Sequence, residues 1–320
     1  MANEIKHRFI ETNGIKLHIA EAGEGPLVLL LHGWPESWYS WRHQLPALAA
    51  AGYHAVAPDV RGYGQSDKPE PVEAYSMKTM VADYVGLLDA LGEQQAVVVG
   101  HDWGAPMAWT SAVLHPDRYR AVVGMSVPFT GRPPAPPIEI FKQIFKDTFF
   151  YMVYFQDEGV AERELDADPK RSMRLILYAA SGDAPPGPSF AGKPKDSGLL
   201  DGVPEPERLP GWLTEEDLDF FANEFKRAGF RGGINRYRNM DRDWHELPQL
   251  ADARITQPSA FIAGAKDGVI AMNPGGIDTM KSKCDDLRAV TLVPNIGHWV
   301  QQEAPEATNE ALLSFLRGLS

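Results

Sequence analysis

Apolar and polar residues follow one rhythm at the two ends of this chain and another in its middle. Arg8–Thr12 and Ile15–Ala20 alternate around Asn13-Gly14. A two-residue period is that of a strand, and Asn-Gly is favoured where both turn residues need positive φ, so a hairpin is predicted. Leu27–Leu31 is a continuous apolar run, as expected of a strand buried on both faces. Helical spacing follows over Ser37–Ala50, closed by Gly52, and a strand over His54–Ala57. Met77–Leu91 is amphipathic, with Val81, Tyr84, Val85 and Leu88 on one face. The run Ala96–Val99 stops at Gly100, helical spacing resumes from Met107 to Leu114, and Ala121–Val127 reads as another strand. Strands alternating with helices predict a mostly parallel sheet covered on both faces.

The rhythm changes at Gly131. Pro133, Pro134, Pro136 and Pro137 form a stiff linker, and from Ile138 to about Met240 the pattern is helical only. Asp168-Pro169 predicts one helix start, with proline at the first position, and Thr214 with Asp217 predicts a capping box at another. Between them Ala184–Trp212 reads as a long loop rich in proline and glycine. Strand–helix alternation returns at Pro258–Gly264 and Arg288–Val293, and a helix is predicted over Pro305–Leu316. The expected architecture is therefore one α/β core built from residues 1–130 and 246–320, interrupted by a helical cap, or lid, over 131–245.

Composition narrows the classes of function. With 44% hydrophobic and 23% charged residues, the chain of 320 has enough apolar content for a full globular core. A net charge of −12 argues against nucleic acid or an anionic membrane as partner. The single cysteine, Cys284, provides no intrachain disulfide framework and fits a reducing compartment, so a cytoplasmic protein is expected. The charged start Met1–Arg8 does not read as a signal peptide, and no run reaches the ~20 apolar residues of a membrane span.

The chemistry centres on Gly100-His101-Asp102-Trp103-Gly104. An apolar strand ends in a sharp turn and a helix follows, which is the setting of the G-x-S-x-G nucleophile elbow. Here the elbow carries a carboxylate. An aspartate nucleophile forms an ester through its side chain, and water must then cleave it. That second step needs a base, and in α/β hydrolases the order along the chain is nucleophile, acid, histidine. His115, His245 and His298 lie downstream of Asp102, and His298 alone falls in the loop after the last strand. Asp267, after the strand ending at Gly264, is the carboxylate expected to orient it. Asp267-Gly268 is also an ordinary turn dipeptide, but the competing strand end, Met125–Phe129, has no carboxylate. Backbone N–H groups of Trp103 and Trp34 are the candidate oxyanion donors, and Pro35 is a candidate for a cis peptide bond that aims the second of them. His32 precedes the nucleophile and is read as structural.

These residues explain ester hydrolysis without saying what is alkylated. At this point the chain resembles the α/β-hydrolase-fold epoxide hydrolases, bacterial type, over nearly its whole length. The resemblance rests on His32–Pro35, Arg61-Gly62-Tyr63-Gly64-Gln65-Ser66, the Asp102 elbow, Asp267 and Gly297-His298-Trp299. Two cap motifs add to it, Tyr151-Met152-Val153-Tyr154-Phe155-Gln156 and Asn235-Arg236-Tyr237-Arg238-Asn239-Met240. It implies that one tyrosine from each cap motif binds the epoxide oxygen. Carried over, these are Tyr151 and Tyr237, with Tyr154 the competitor on the same helical face. Physically, two phenols donate hydrogen bonds to an opening epoxide while staying neutral at pH 7. Trp34, Trp103, Tyr154, Phe155 and Trp299 are expected to line the substrate pocket, and the phenylalanine-rich cap suggests hydrophobic epoxides.

The resemblance implies a small-molecule epoxide as partner and no metal or organic cofactor; a homodimer is left open. The nearest rival is a haloalkane dehalogenase, in which Trp103 would point its ring N–H at halide. A non-catalytic ligand receptor on the same scaffold is the rival from another class. A serine esterase is disfavoured because the elbow has no serine.

Overall fold

The computed structural model describes residues 4–319 except 186 and 188. Its first strands, β1 (Lys6–Thr12) and β2 (Ile15–Ala22), form an antiparallel hairpin whose turn residues Asn13 and Gly14 both have positive φ, 47° and 74°. They join β3 (Leu27–Leu31), β4 (His54–Pro58), β5 (Ala96–His101), β6 (Tyr119–Met125), β9 (Ile255–Gly264) and β10 (Cys284–Val293) in one eight-stranded sheet. Its order is β1-β2-β4-β3-β5-β6-β9-β10. β1, β2 and β4 pair antiparallel, and every pairing from β4 to β10 is parallel. All residues of β3 and β5 are buried, which is why their sequences are continuously apolar rather than alternating.

The connections carry α1 (Gln44–Ala50), α2 (Met77–Leu91) and α3 (Gly104–Leu114) in the first half of the core. The second half carries α11 (Gly268–Met272), α12 (Gly276–Lys283), α13 (Val300–Glu303) and α14 (Pro305–Arg317). Two clusters of buried side chains result, one on each face of the sheet. Leu29, Tyr84, Val98 and Trp109 belong to the first, and Leu30, Trp41, Val97 and Phe315 to the second. The chain reverses direction across the sheet at β3, so the ends of β3 and β5 open a crevice where ligands bind in open α/β sheets.

Between β6 and β9 lie α4 (Pro137–Ile144), α5 (Tyr151–Tyr154), α6 (Val160–Leu165), α7 (Pro169–Ala179), α8 (Glu215–Ala228), α9 (Arg231–Arg238) and α10 (Met240–Glu246). Both sequence-marked helix starts carry their caps: Asp168 accepts from Arg171 N, and Thr214 with Asp217 forms the reciprocal box. The insertion is not helical only. β7 (Thr148–Phe150) and β8 (Ala191–Pro194) pair as a short antiparallel ribbon that pins the loop after α7 against the segment before α5. Strands of three and four residues are too short to show a period.

Elsewhere the expected bounds shift. The helix predicted over Ser37–Ala50 divides into a 3₁₀ turn, Trp38–Trp41, and α1. Pro46 has no N–H to donate back, so it is accommodated only in the first turn of a helix that starts near it. β6 runs two residues earlier than expected, and β9 and β10 begin three and four residues before theirs.

Candidate active site

β5 ends at His101, and the next residue, Asp102, has φ 51°, in the left-handed region that non-glycine residues rarely occupy. The turn is tight. A Cβ on Gly100 would lie 1.9 Å from Gly104 O, and one on Gly104 would lie 1.9 Å from Leu31 O, so both positions require glycine. The side chain of Asp102 is thereby lifted beyond the strand ends. Trp34 N donates to its Oδ1 at 2.7 Å. Trp103, the N-cap residue of α3, brings its backbone N to the same corner. A Cβ on Gly33 would lie 2.3 Å from Asp102 Oδ1 and 2.7 Å from Trp103 N. The Trp34–Pro35 peptide bond is cis.

The other carboxylate oxygen faces a histidine. His298 Nε2 stands 3.3 Å from Asp102 Oδ2, and His298 Nδ1 is 3.1 Å from each oxygen of Asp267. Asp267 caps α11, accepting from Val269 N at 2.8 Å. Burial works against charge on Asp267. The His298 charge and hydrogen bond, with the Val269 N–H, nevertheless hold its carboxyl below the ordinary range. For His298, burial disfavours the imidazolium, but the Asp267 charge and the hydrogen bond to Asp102 outweigh it. Its pKa lies well above the usual histidine value.

Below these groups runs a buried polar network. Glu36 Oε1 accepts from Gly33 N at 2.9 Å and meets His101 Nδ1 at 2.7 Å, while Gln301 Nε2 donates to Glu36 Oε2. His101 Nε2 and Ser126 Oγ both donate to the His298 carbonyl, at 2.8 and 3.0 Å. Burial opposes charge on Glu36, yet its contacts with His101 bring its pKa down to about 2. This network ties the Trp34 loop, the elbow strand and the His298 loop together. The sequence reading missed its role, although Glu36, His101 and Gln301 lie within a few residues of Trp34, Asp102 and His298.

A cavity of about 690 Å³ opens above Asp102. Asp102, His298 and Asp267 lie at its floor, and Tyr151 and Tyr237, their rings 5.7 Å apart and nearly perpendicular, line it from the insertion. Enclosure above all pushes both phenols above their ordinary pKa, helped by the Asp102 charge at Tyr151 and by Tyr151 and then Asp102 at Tyr237, so both are neutral at physiological pH. Trp34 and Trp299 also line the cavity, with Ile176, Phe190 and Met272.

Three residues expected in the pocket do not line it. The Tyr154 hydroxyl donates to Glu164 at 2.8 Å. Phe155 is fully buried behind the rings of Trp34, Tyr151 and Tyr237. The Trp103 ring lies against Tyr237 and faces a separate cavity of about 210 Å³ beside Met77 and Trp244. Of the other histidines, His32 is buried and accepts from Val60 N, His115 caps the end of α3, and His245 is exposed on α10.

Known proteins match this chain over nearly its whole length. The family described as alpha/beta hydrolase fold matches residues 26–305. Epoxide hydrolase A of Mycobacterium tuberculosis is 46% identical over 318 residues, 98% of this chain and 97% of that one. The chain belongs to the α/β-hydrolase-fold epoxide hydrolases. Solved epoxide hydrolases superpose closely. One from an endophytic Streptomyces has a TM-score of 0.96 at 46% identity, covering 98% of this chain and 96% of its own. Epoxide hydrolase A from Mycobacterium thermoresistibile has a TM-score of 0.92 at 48% identity, covering 99% of each chain. Among the described residues of this epoxide hydrolase, no helix is long and apolar enough to cross a membrane.

Proposed function

We propose that this protein converts a hydrophobic epoxide and water into a vicinal diol through a covalent ester on Asp102. One observation carries the reading: Asp102, engaged through one oxygen by the Trp34 N–H and through the other by His298, shares a cavity with two neutral phenols. Asp102 Oδ2 attacks an epoxide carbon, and the ring C–O bond breaks. Tyr151 and Tyr237 hydrogen-bond the leaving oxygen, and one supplies its proton. The product is a hydroxyalkyl ester whose carbonyl oxygen is Oδ1. His298, oriented by Asp267, then takes a proton from water, which attacks Cγ of the ester. The Trp34 and Trp103 N–H groups hold the oxyanion; the Cγ–Oδ2 bond then breaks, the imidazolium of His298 protonates Oδ2 as the diol leaves, and the proton of the regenerated Asp102 carboxyl returns to the phenolate. Side chains, two backbone N–H groups and water supply every group that these steps use.

Residues 131–245 act as the cap that carries the two phenols over a core formed by residues 1–130 and 246–320. A buried free thiol at Cys284, the only cysteine, fits a cytoplasmic enzyme. The dehalogenase reading loses its halide donor, since the Trp103 ring lies outside the cavity. Incubation with a styrene-type epoxide is expected to yield diol, and incubation with a chloroalkane to release no chloride. Chloride release without diol formation would reverse the assignment; neither product would favour a binding protein.

A further inference from the structure

The loop that carries His298 is joined to the insertion through one carboxylate, that of Glu303. Glu303 sits at the end of α13, five residues after His298, and its side chain folds back along the loop. Its Oε2 accepts from Gly297 N at 2.9 Å and its Oε1 from Trp299 N at 2.9 Å. Both backbone neighbours of His298 are therefore held by the same group. Oε2 also accepts from Gly182 N at 2.8 Å, just beyond the end of α7. Around this carboxylate the two segments are in direct contact. His298 N donates to Ala180 O at 2.9 Å, and Trp299 Nε1 donates to Leu177 O at 2.7 Å. A Cβ on Gly297 would lie 2.3 Å from Gly182 N, so the backbones leave no room for a side chain.

We propose that Glu303 is a positioning residue that fixes the His298 backbone against the end of α7, and so sets the imidazole for the hydrolytic step. The inference rests on the covalent reading above. No contact joins Glu303 to Asp102, Trp34, Tyr151 or Tyr237 among the described hydrogen bonds. Attack on the epoxide uses Asp102, Tyr151 and Tyr237, while water activation uses His298. Loss of Glu303 therefore slows ester cleavage and leaves ester formation in place. A residue that only supported the fold would slow both steps together. Three backbone N–H groups would lose their acceptor in Glu303→Ala. Glu303→Gln retains one carbonyl oxygen, which can serve two of them, and presents an amide to the third.

The test is rapid-quench mass spectrometry of the intact protein during one turnover of a styrene-type epoxide, for wild type, Glu303→Ala, Glu303→Gln and His298→Gln. In Glu303→Ala the adduct is expected at close to the wild-type rate. Its decay is expected to be about 10²-fold slower, the cost of misplacing a reacting group by around 1 Å. Glu303→Gln should fall between the two, and melting by circular dichroism identifies any variant that has lost the fold. Equal slowing of adduct formation and decay in the folded variants, or unchanged decay, would overturn the assignment of Glu303 while leaving the Asp102 ester intact. An absence of adduct in every protein, His298→Gln included, would overturn the covalent reading and this inference with it.

Discussion

The floor of the cavity and its far wall are built in opposite ways. Asp102, Asp267 and His298 lie just beyond the ends of β5, β9 and β10, and backbone N–H groups or buried side chains hold each of them. The floor is charged, and its charges determine one another: His298 is raised by two carboxylates and Asp267 is lowered by His298. Tyr151 begins a four-residue helix and Tyr237 lies on α9, and their rings are set by edge-to-face packing with Phe155, Trp34 and Trp103. The wall is neutral, and enclosure keeps it so. The proposed nucleophile, and the carboxylate that orients the base, need fixed charge, which requires hydrogen bonds from rigid strand ends. Donors to a leaving oxygen need only to be protonated and close, which aromatic packing on an inserted layer provides.

The largest effect that separates the two regions belongs to the proposed nucleophile. Asp102→Ala is expected to lower turnover by roughly 10⁴-fold or more, since loss of a covalent nucleophile leaves only binding and polarisation. Thermal melting should show the fold retained with a modest loss of stability, since alanine tolerates φ 51° less well than aspartate.

Next come the wall residues. Tyr151→Phe and Tyr237→Phe should each slow ester formation by about 10²-fold, the scale of a lost general-acid contact, and leave ester decay nearly unchanged. Stopped-flow tryptophan fluorescence, with the indoles of Trp34, Trp103 and Trp299 at or near the site, follows both phases. Equal slowing of both phases would mean that wall and floor are not divided as described.

A smaller effect is a shift of pH dependence. In the proposed mechanism neutral His298 is the base, so ester decay should rise as pH increases through its pKa. In the free enzyme burial lowers that pKa, but Asp267 and the ionised Asp102 raise it further than burial lowers it. Alkylation removes the Asp102 charge, so in the ester the His298 pKa must fall and the base is freed when it is needed. The midpoint for ester decay in single turnover should lie below the midpoint of His298 titration in the free enzyme, measured by NMR. Coincident midpoints would contradict the coupling.

Tyr154→Phe sharpens the comparison by changing little. Its hydroxyl bonds Glu164 rather than the cavity. Turnover should stay within about threefold, with about 1 kcal/mol of stability lost on denaturant unfolding, the ordinary worth of one hydrogen bond.

Sequence and structure agree where a side chain's fate is local. The Leu27–Leu31 run, the Met77–Leu91 helix and the Asp168 and Thr214 caps follow from periodicity and capping chemistry. The elbow was legible because close backbone approach leaves only glycine at 100 and 104. What depends on tertiary packing was not legible. Tyr154 and Phe155 share a motif with Tyr151, but helical rotation and the crowding of aromatic rings turn them away from the cavity. The outer half of β10, Asp285–Arg288, is polar at the sheet edge and shows no strand rhythm. Glu36, His101 and Glu303 are ordinary polar residues in sequence, and only the convergence of three loops gives them partners. Ile176, Phe190 and Met272 reach the cavity from separate segments and carry no signal at all.

The central claim is that Asp102 is alkylated and then released by water. It is tested most directly by a single turnover in heavy-oxygen water with enzyme in excess over epoxide. The account predicts that the first diol carries no label, because its new oxygen is Asp102 Oδ2, and that the label appears in the Asp102 carboxylate. Label in the first diol would mean that water attacks the epoxide directly, and would contradict the account.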